Sequence, residues 1–254
     1  MLGAIYGDKA GSIYEYDQLK EIKPINPKEL ILENSFYSDD TIETIAITDA
    51  IVNNEDYEKK LREYILEYED YRPNHKPYFK TSFSPGTIKW AKGLGRNDSI
   101  GNGALMRISP IGYLFNTEEE IKENTYLATI PSHNSYEAID SATIIALMIY
   151  YFRKGYSKEE VYHKLDLKVK YTPFKKFNTT CYQTLDNCLY ALYQSNSFED
   201  SIRKTLLMGG DTDTNCCIVG SISESLYGMN QKEKEDAKKN IPTEFIKVLT
   251  KAYK

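Results

Sequence analysis

Residues suited to soft metals and redox chemistry are scarce in this sequence. It has three histidines in 254 residues, His75, His133 and His163, too far apart to suggest a histidine-based zinc site. Its four cysteines, Cys181, Cys188, Cys216 and Cys217, show no CxxC spacing. Cys216 and Cys217 lie inside an apolar helical pattern, so the four read as buried free thiols of a cytosolic protein. Basic stripes are missing as well. The formal net charge is −5, which argues against tracking along nucleic acid and against an extended nucleic-acid surface; a modified nucleic-acid end could still enter a small pocket. No apolar run approaches the length of a membrane span. The N-terminal MLGAIYGDKAGSIYEY lacks a basic stretch followed by an apolar one, so no secretion signal is expected. The absence of a dinucleotide-binding βαβ fingerprint argues against a nicotinamide or flavin cofactor. These absences together point to a cytoplasmic protein that does not use a membrane.

What is present is helical periodicity. Hydrophobic residues make up 41% and charged residues 27%, a globular balance, and the length suits one domain spanning residues 1–254. The 22 tyrosines, with many Lys, Asn and Ile, look like coding bias and carry no functional weight. From Ala138 to Tyr151 a broad apolar stripe runs through Ala138, Ile139, Ala142, Ile145, Ala146 and Ile149. Ile144, Leu147 and Met148 widen it almost to the full circumference, which predicts a central helix. Leu185, Cys188, Leu189 and Leu192 form a narrower stripe, as do Ile42, Ile45, Ala46 and Ala50 with Ile51. Thr117 with Glu120, and Ser157 with Glu160, are capping-box signatures; Ser197 with Asp200 is a weaker one. Alternating strands are lacking: Leu165 to Tyr171 could be extended but is isolated. No internal repeat is found. The expectation is an all-α single globular helical domain acting as a monomer.

Two loops stand out. Residues 72–102 hold Pro73, Pro77, Pro85, Gly86, Gly93, Gly95, Gly101 and Asn102, a density that breaks helices and lets backbone approach a ligand. Residues 22–40 hold two prolines and end on Ser38-Asp39-Asp40-Thr41. A second acidic group is Gly209-Gly210-Asp211-Thr212-Asp213-Thr214. Each precedes an apolar helical stretch, so each is placed at a helix N-terminus, where free N–H groups and the helix dipole tolerate negative charge. Either group alone reads as N-capping. Together they carry four carboxylates flanked by hydroxyls, a charge that two divalent cations would balance. Hard oxygen ligands suit Mg²⁺, Mn²⁺ or Ca²⁺ rather than zinc.

The segments GAIYGDKAGSIYE (3–15), SDDT (38–41), GNGALMR (101–107), SHN (132–134) and GGDTDT (209–214) occur in the order found in ADP-ribosylglycohydrolases, and the sequence resembles that family over nearly its whole length. The resemblance implies an all-α fold with a binuclear magnesium site, Mn²⁺ being a possible substitute. It implies Ser38, Asp39, Asp40, Asp211, Asp213 and Thr214 as metal ligands; the family more often has Thr at Ser38, and both supply a hydroxyl oxygen. Gly101, Asn102 and Gly103 match a loop close to ADP-ribose, where small residues let backbone N–H groups reach a diphosphate. His133 matches a histidine near the substrate; His75 and His163 are given no role. Glu15 matches an acidic position that acts in catalysis in some branches, on a mobile segment. Asp8 is expected to be structural, bonding nearby backbone amides. Lys9 stands where the family has a small or apolar residue, and either contacts phosphate or is solvated.

The implied function is hydrolysis of the glycosidic bond between ADP-ribose and a modified target, with a protein side chain, a nucleic acid and a small molecule as the alternatives for that target. In that scheme the two ions hold the ribose hydroxyls and a water, and Glu15, or Asp39 or Asp213 among the metal-bound aspartates, serves as acid or base. Two other functions suit the same residues: a metal-dependent phosphoesterase acting on a nucleotide or diphosphate, and a non-enzymatic ADP-ribose-binding relative. Release of ADP-ribose rather than AMP or phosphate separates the first; missing ligands would favour the second, and all six metal positions are filled.

Overall fold

A computed structural model describes residues 1–73 and 81–253. His75 and Pro77 lie outside the described residues. Fifteen helices form among the described residues. The first seven are α1 (Leu2–Gly11), α2 (Glu15–Gln18), α3 (Asp39–Asn53), α4 (Tyr57–Glu67), α5 (Pro85–Ala91), α6 (Gly103–Met106) and α7 (Ser109–Leu114). Then follow α8 (Glu118–His133), α9 (Tyr136–Arg153), α10 (Lys158–Lys164), α11 (Cys181–Gln194) and α12 (Phe198–Met208). The chain closes with α13 (Thr212–Tyr227), α14 (Gln231–Lys238) and α15 (Thr243–Ala252). No strand forms among the described residues; Leu165–Tyr171 is irregular, and the two β-bridges, Asp98 to His133 and Gly101 to Thr180, are isolated.

The helices fall where the sequence periods put them. The broad stripe becomes α9, which packs against α7, α8, α11 and α13 and buries most of its circumference. Thr117–Glu120 and Ser157–Glu160 both close as reciprocal capping boxes. Ser197 caps α12 by accepting from the Asp200 amide. Part of the Gly/Pro-rich stretch is helical rather than loop, because Ser84 accepts from the Thr87 amide and Pro85 supplies a preset first turn; this is α5.

The architecture is centred on α1 and α13. All ten residues of α1 are buried, as are Thr212 to Ser223 of α13. They lie antiparallel and in very close contact. Gly3, Gly7 and Gly11 share one face of α1, and a Cβ on them would sit 2.2, 1.9 and 2.1 Å from the carbonyl oxygens of Gly220, Cys216 and Thr212. Only glycine fits that seam. One continuous apolar core surrounds the pair, drawing Ile42, Ile45 and Ala46 from α3, Leu185, Cys188 and Leu192 from α11, and Phe245 from α15. The four cysteines are buried and free.

Candidate active site

The seam dictates where the chemistry can be. Antiparallel packing brings the C-terminal end of α1, with Asp8 and then Glu15, beside the N-terminal end of α13, with Asp211 and Asp213. The turn from α12 into α13 runs through Gly209 (φ 67°) and Gly210 (φ 83°), left-handed conformations that other residues resist. Gln18 braces this turn: its Oε1 accepts from the Gly210 amide (3.2 Å) and the Lys23 amide (2.8 Å).

Asp8 joins the second acidic group to the same point. Its carboxylate accepts from the Ser38 amide (2.8 Å), the Ser38 hydroxyl (2.8 Å), the Thr41 amide (3.1 Å) and the Thr41 hydroxyl. A side chain from α1 thereby caps the N-terminus of α3 and fixes Asp39 and Asp40 opposite α13. The Thr214 hydroxyl then bonds Asp40 Oδ2 at 3.3 Å. Ser82 holds Asp39 through both its backbone amide (2.6 Å) and its carboxylate (3.0 Å).

Two overlapping acidic triads result, Asp8–Asp40–Asp213 and Glu15–Asp211–Asp213, each with carboxylate oxygens within 4.8 Å of one another. Among the described residues no Lys or Arg forms an ion pair with them. Asp40 Oδ1 is buried without a hydrogen-bond partner. Two like charges about 4 Å apart repel by about 4 kcal/mol at an effective dielectric constant of 20. The cluster is therefore untenable fully ionised on its own, and its all-oxygen donors match a hard divalent cation.

The titration shifts carry the same message. Burial, then Asp211, pushes Glu15 well above the usual carboxylate range. Burial, then Asp40, does so for Asp39; burial, then Asp8, for Asp40; and burial, then Glu15, for Asp213. Asp211 is raised less starkly because the Asn102 amide bonds it. Asp8 reaches about 6, its burial being opposed by the Ser38 and Thr41 bonds.

Glu15, Asp39, Asp40, Asp211 and Asp213 line a cavity of about 710 Å³, with Asp8 behind them. All eleven residues named from the sequence, Glu15, Ser38, Asp39, Asp40, Gly101, Asn102, Gly103, His133, Asp211, Asp213 and Thr214, reach its wall. Gly101 and Gly103 lie beside His133, and the Gly101 backbone is pinned by its bridge to Thr180. Asn102 has a second task beside the expected approach of its loop to the ligand. Its amide nitrogen bonds Asp211 Oδ2 (2.7 Å) and Thr184 Oγ1 (3.3 Å), so it orients a carboxylate from the substrate loop. Glu15 packs its carboxylate against Asp211 and Asp213.

Lys9 meets neither sequence expectation. It is 2% exposed and points away from the cavity, its ammonium donating to the carbonyls of Asp236 and Lys239 (2.8 Å for the latter) at the end of α14. His163 is exposed on α10. Sequence reading passed over Tyr16, Ser82, Phe83, Trp90, Arg107 and Phe177, all of which line the cavity. The four aromatics have no local signature. Arg107 had one: a lone cation in an apolar stretch, matched by Glu43 alone on the apolar face of α3.

A profile of ADP-ribosylglycohydrolases matches residues 1–252. The chain belongs to the ADP-ribosylglycohydrolase family. Two curated relatives bear this out at low identity. The chain is similar to ADP-ribosylhydrolase ARH3 of Bos taurus, 20% identical over 312 aligned residues that cover 91% of this chain and 84% of the relative. It is equally similar to ADP-ribosylhydrolase ARH3 of Mus musculus, with 20% identity over 91% of this chain and 83% of the relative. In fold it resembles the solved structure of an ADP-ribosylglycohydrolase-related protein complex, with a TM-score of 0.68 and 17% identity over 99% of this chain and 96% of that one. Membership in the ADP-ribosylglycohydrolases makes the chain a metal-dependent glycohydrolase acting on ADP-ribosylated substrates. No helix among the described residues is long and apolar enough to cross a membrane.

Proposed function

We propose that this ADP-ribosylglycohydrolase cleaves the glycosidic bond between ADP-ribose and its target with the help of two Mg²⁺ ions, Mn²⁺ serving as a substitute. The observation that carries the reading is the meeting, in one cavity, of two acidic triads that share Asp213 with the Gly101–Gly103 loop and His133. The volume, about 710 Å³, lies within the range of small-ligand sites, roughly 300–1,000 Å³.

The donor set fits the metal. Ser38, Asp39, Asp40, Asp211, Asp213 and Thr214 offer hard oxygens, and the orphaned Asp40 Oδ1 is a buried acceptor in want of a cation. Asp8 and Glu15 reach the same two triads, from α1 and α2. When bound, the ions neutralise the carboxylates, orient the ribose hydroxyls and lower the pKa of the attacking water.

The chain's own residues do the rest. Gly101 and Gly103 let backbone approach the diphosphate. Glu15 is the acid/base, because its carboxyl lines the cavity from α2, outside the rigid α1–α13 seam. Asp39 and Asp213 are the alternatives for that proton transfer. The Ser38 hydroxyl, held by Asp8 and Asp40, keeps the two carboxylates in register.

The deciding experiment is a panel of substrates ADP-ribosylated on arginine, on serine, on nucleic acid and on small molecules, assayed for free ADP-ribose with Mg²⁺ and after chelation. Metal-dependent release of ADP-ribose from at least one conjugate is expected. AMP or phosphate as product would make the protein a phosphoesterase, and ADP-ribose binding without turnover on any conjugate would make it a binding module. The continuous core and the free buried thiols support a single-domain, cytoplasmic monomer; sedimentation at working concentration checks the oligomeric state.

A further inference from the structure

Along the cavity wall, four side chains from α3, the end of α6 and α8 stand in single file. Glu43 on α3 accepts from Arg107 Nη1 at 2.7 Å, and both side chains are 2% exposed. Arg107, just after α6, turns its other nitrogen to the last turns of α8: Nη2 donates to the Ala128 carbonyl at 3.1 Å and to Ser132 Oγ at 2.7 Å. Ser132 Oγ in turn lies 2.7 Å from His133 Nδ1.

One order of donors along this file pairs every proton within it. A guanidinium only donates. Ser132 Oγ therefore accepts from Arg107 and keeps one proton to give. Its remaining partner among the described residues is His133 Nδ1. An imidazole nitrogen that accepts carries no proton, so the ring proton is on Nε2. That nitrogen faces the cavity beside the glycine loop: a Cβ on Gly103 would lie 3.4 Å from it, and one on Gly101 3.9 Å.

We propose that Glu43, Arg107 and Ser132 are positioning residues that lock His133 as a neutral imidazole with its proton on Nε2, making it a fixed hydrogen-bond donor to an anionic oxygen of the ligand held against the Gly101–Gly103 loop. This rests on the reading that ADP-ribose enters the cavity. The chemistry follows from what the file forbids. Nδ1 is engaged, so His133 takes up a proton there only by reversing the Ser132 bond and leaving the Ser132 hydroxyl proton without this partner. The fixed positive charge of Arg107 one residue behind also disfavours an imidazolium. Burial, and then Arg107, hold the His133 pKa well below the ordinary histidine range, in agreement with the geometry. His133 is thereby a binding group rather than a base. The carboxylates keep the proton transfers.

The test is a pair of measurements. Long-range ¹H–¹⁵N imidazole spectra of the ligand-free protein should show His133 as a single Nε2–H tautomer that does not titrate between about pH 5 and 8. Ser132→Ala should move the spectrum toward a mixture of tautomers and weaken ADP-ribose binding about tenfold, with kcat nearly unchanged. Ser132→Thr keeps the hydroxyl and should restore both. A wild-type Nδ1–H or doubly protonated ring overturns the proposal, as does a Ser132→Ala protein with wild-type spectrum and ADP-ribose Kd. Should Ser132→Ala fold poorly, His133→Gln and His133→Phe replace it. Gln retains an N–H donor and should hold ADP-ribose more tightly than Phe, and equal loss in both removes the donor role. Failure of the wild-type protein to bind ADP-ribose refutes the functional reading instead; the tautomer spectra, taken without ligand, still decide the file.

Discussion

The α1–α13 seam and the cavity at its end are made from the same two helices by opposite physics. Along the seam, Gly3, Gly7 and Gly11 let two backbones touch, and the contact is close-packed, with its one carboxylate, Glu224, matched by the N-terminal ammonium. At its end, the same helices hold Asp8, Asp211 and Asp213 together with Glu15, Asp39 and Asp40, an arrangement that repels itself. The seam stabilises the fold and supplies the rigidity that keeps the carboxylates from moving apart. The cavity does the reverse, storing electrostatic strain that a bound cation relieves. Rigid, low-volume packing is what allows a charge cluster to be kept preorganised.

The seam should fail first and most completely. Gly7→Val puts a branched side chain where even a Cβ would be 1.9 Å from the Cys216 carbonyl oxygen. Overpacking of this kind costs about 1–3 kcal/mol when side chains can yield, and here backbone must move, so the loss should reach the upper end or beyond. Thermal unfolding followed by circular dichroism should show a large drop in Tm or no folded protein. A Gly7→Val protein with wild-type Tm would mean the seam is looser than described.

Attack on the cavity should spare the fold and remove the function. Chelation should abolish turnover, with Mg²⁺ or Mn²⁺ restoring it. Asp211→Asn or Asp39→Asn should weaken divalent binding by calorimetry and lower activity by more than the roughly 10–100-fold typical of residues one step removed from a metal. The metal-free Tm of either variant should match or exceed the wild type, since one repelling charge is gone. Full turnover after exhaustive chelation would overturn the two-ion site.

Glu15 sharpens the comparison, because it belongs to the cavity but hangs on the short helix α2 outside the seam. Glu15→Gln should lower kcat by about 10²–10⁴-fold, the range for loss of a general acid or base, while ADP-ribose still binds. Calorimetry decides its second possibility. Loss of a metal ion in Glu15→Gln would make it a ligand alongside Asp211 and Asp213.

Gly103→Val should act only on the ligand. Its side chain would occupy the space facing His133 Nε2, 3.4 Å from the Cβ position, and should raise the ADP-ribose Kd about tenfold without changing helical content. Unaltered affinity in the folded variant would place the loop outside the binding surface.

The smallest effect is on stability against pH. A carboxyl whose pKa is raised by folding binds protons more tightly in the folded state, so its contribution to stability falls as pH rises above the unfolded value near 4. Asp8, at about 6, and the higher-shifted Glu15, Asp39, Asp40 and Asp213 all act in that direction. The Tm of chelated protein should fall between about pH 5 and 7, and saturating Mg²⁺ should remove the fall. A flat profile in the metal-free protein would mean that the triads are already screened.

Much of this molecule was legible one residue at a time. The stripe through Ala138 and Ile149 became the central helix α9, because a 3.6-residue period is a local property of the chain. Thr117, Ser157 and Ser197 marked helix starts for the same reason: a cap is made by a residue and its third neighbour. The clustering of Asp39 with Asp40 and of Asp211 with Asp213 was on the page, and so was the resemblance that named the residues of the cavity. What no local reading could give was the distance between groups far apart in sequence. Lys9 was read as solvated or phosphate-bound, yet it caps α14, a helix more than two hundred residues on. Asn102 was read as part of a ligand loop, and nothing local announced that its side chain also holds Asp211. The pairing of Glu43 with Arg107, and the link from Arg107 through Ser132 to His133, exists only once α3, α6 and α8 are packed. Periods, caps and motif order are set by neighbours along the chain, and the sequence alone determined them. Charge pairing, proton placement and the approach of Glu15 to Asp213 depend on through-space distances of a few ångströms, and only the close glycine seam between α1 and α13 decided those.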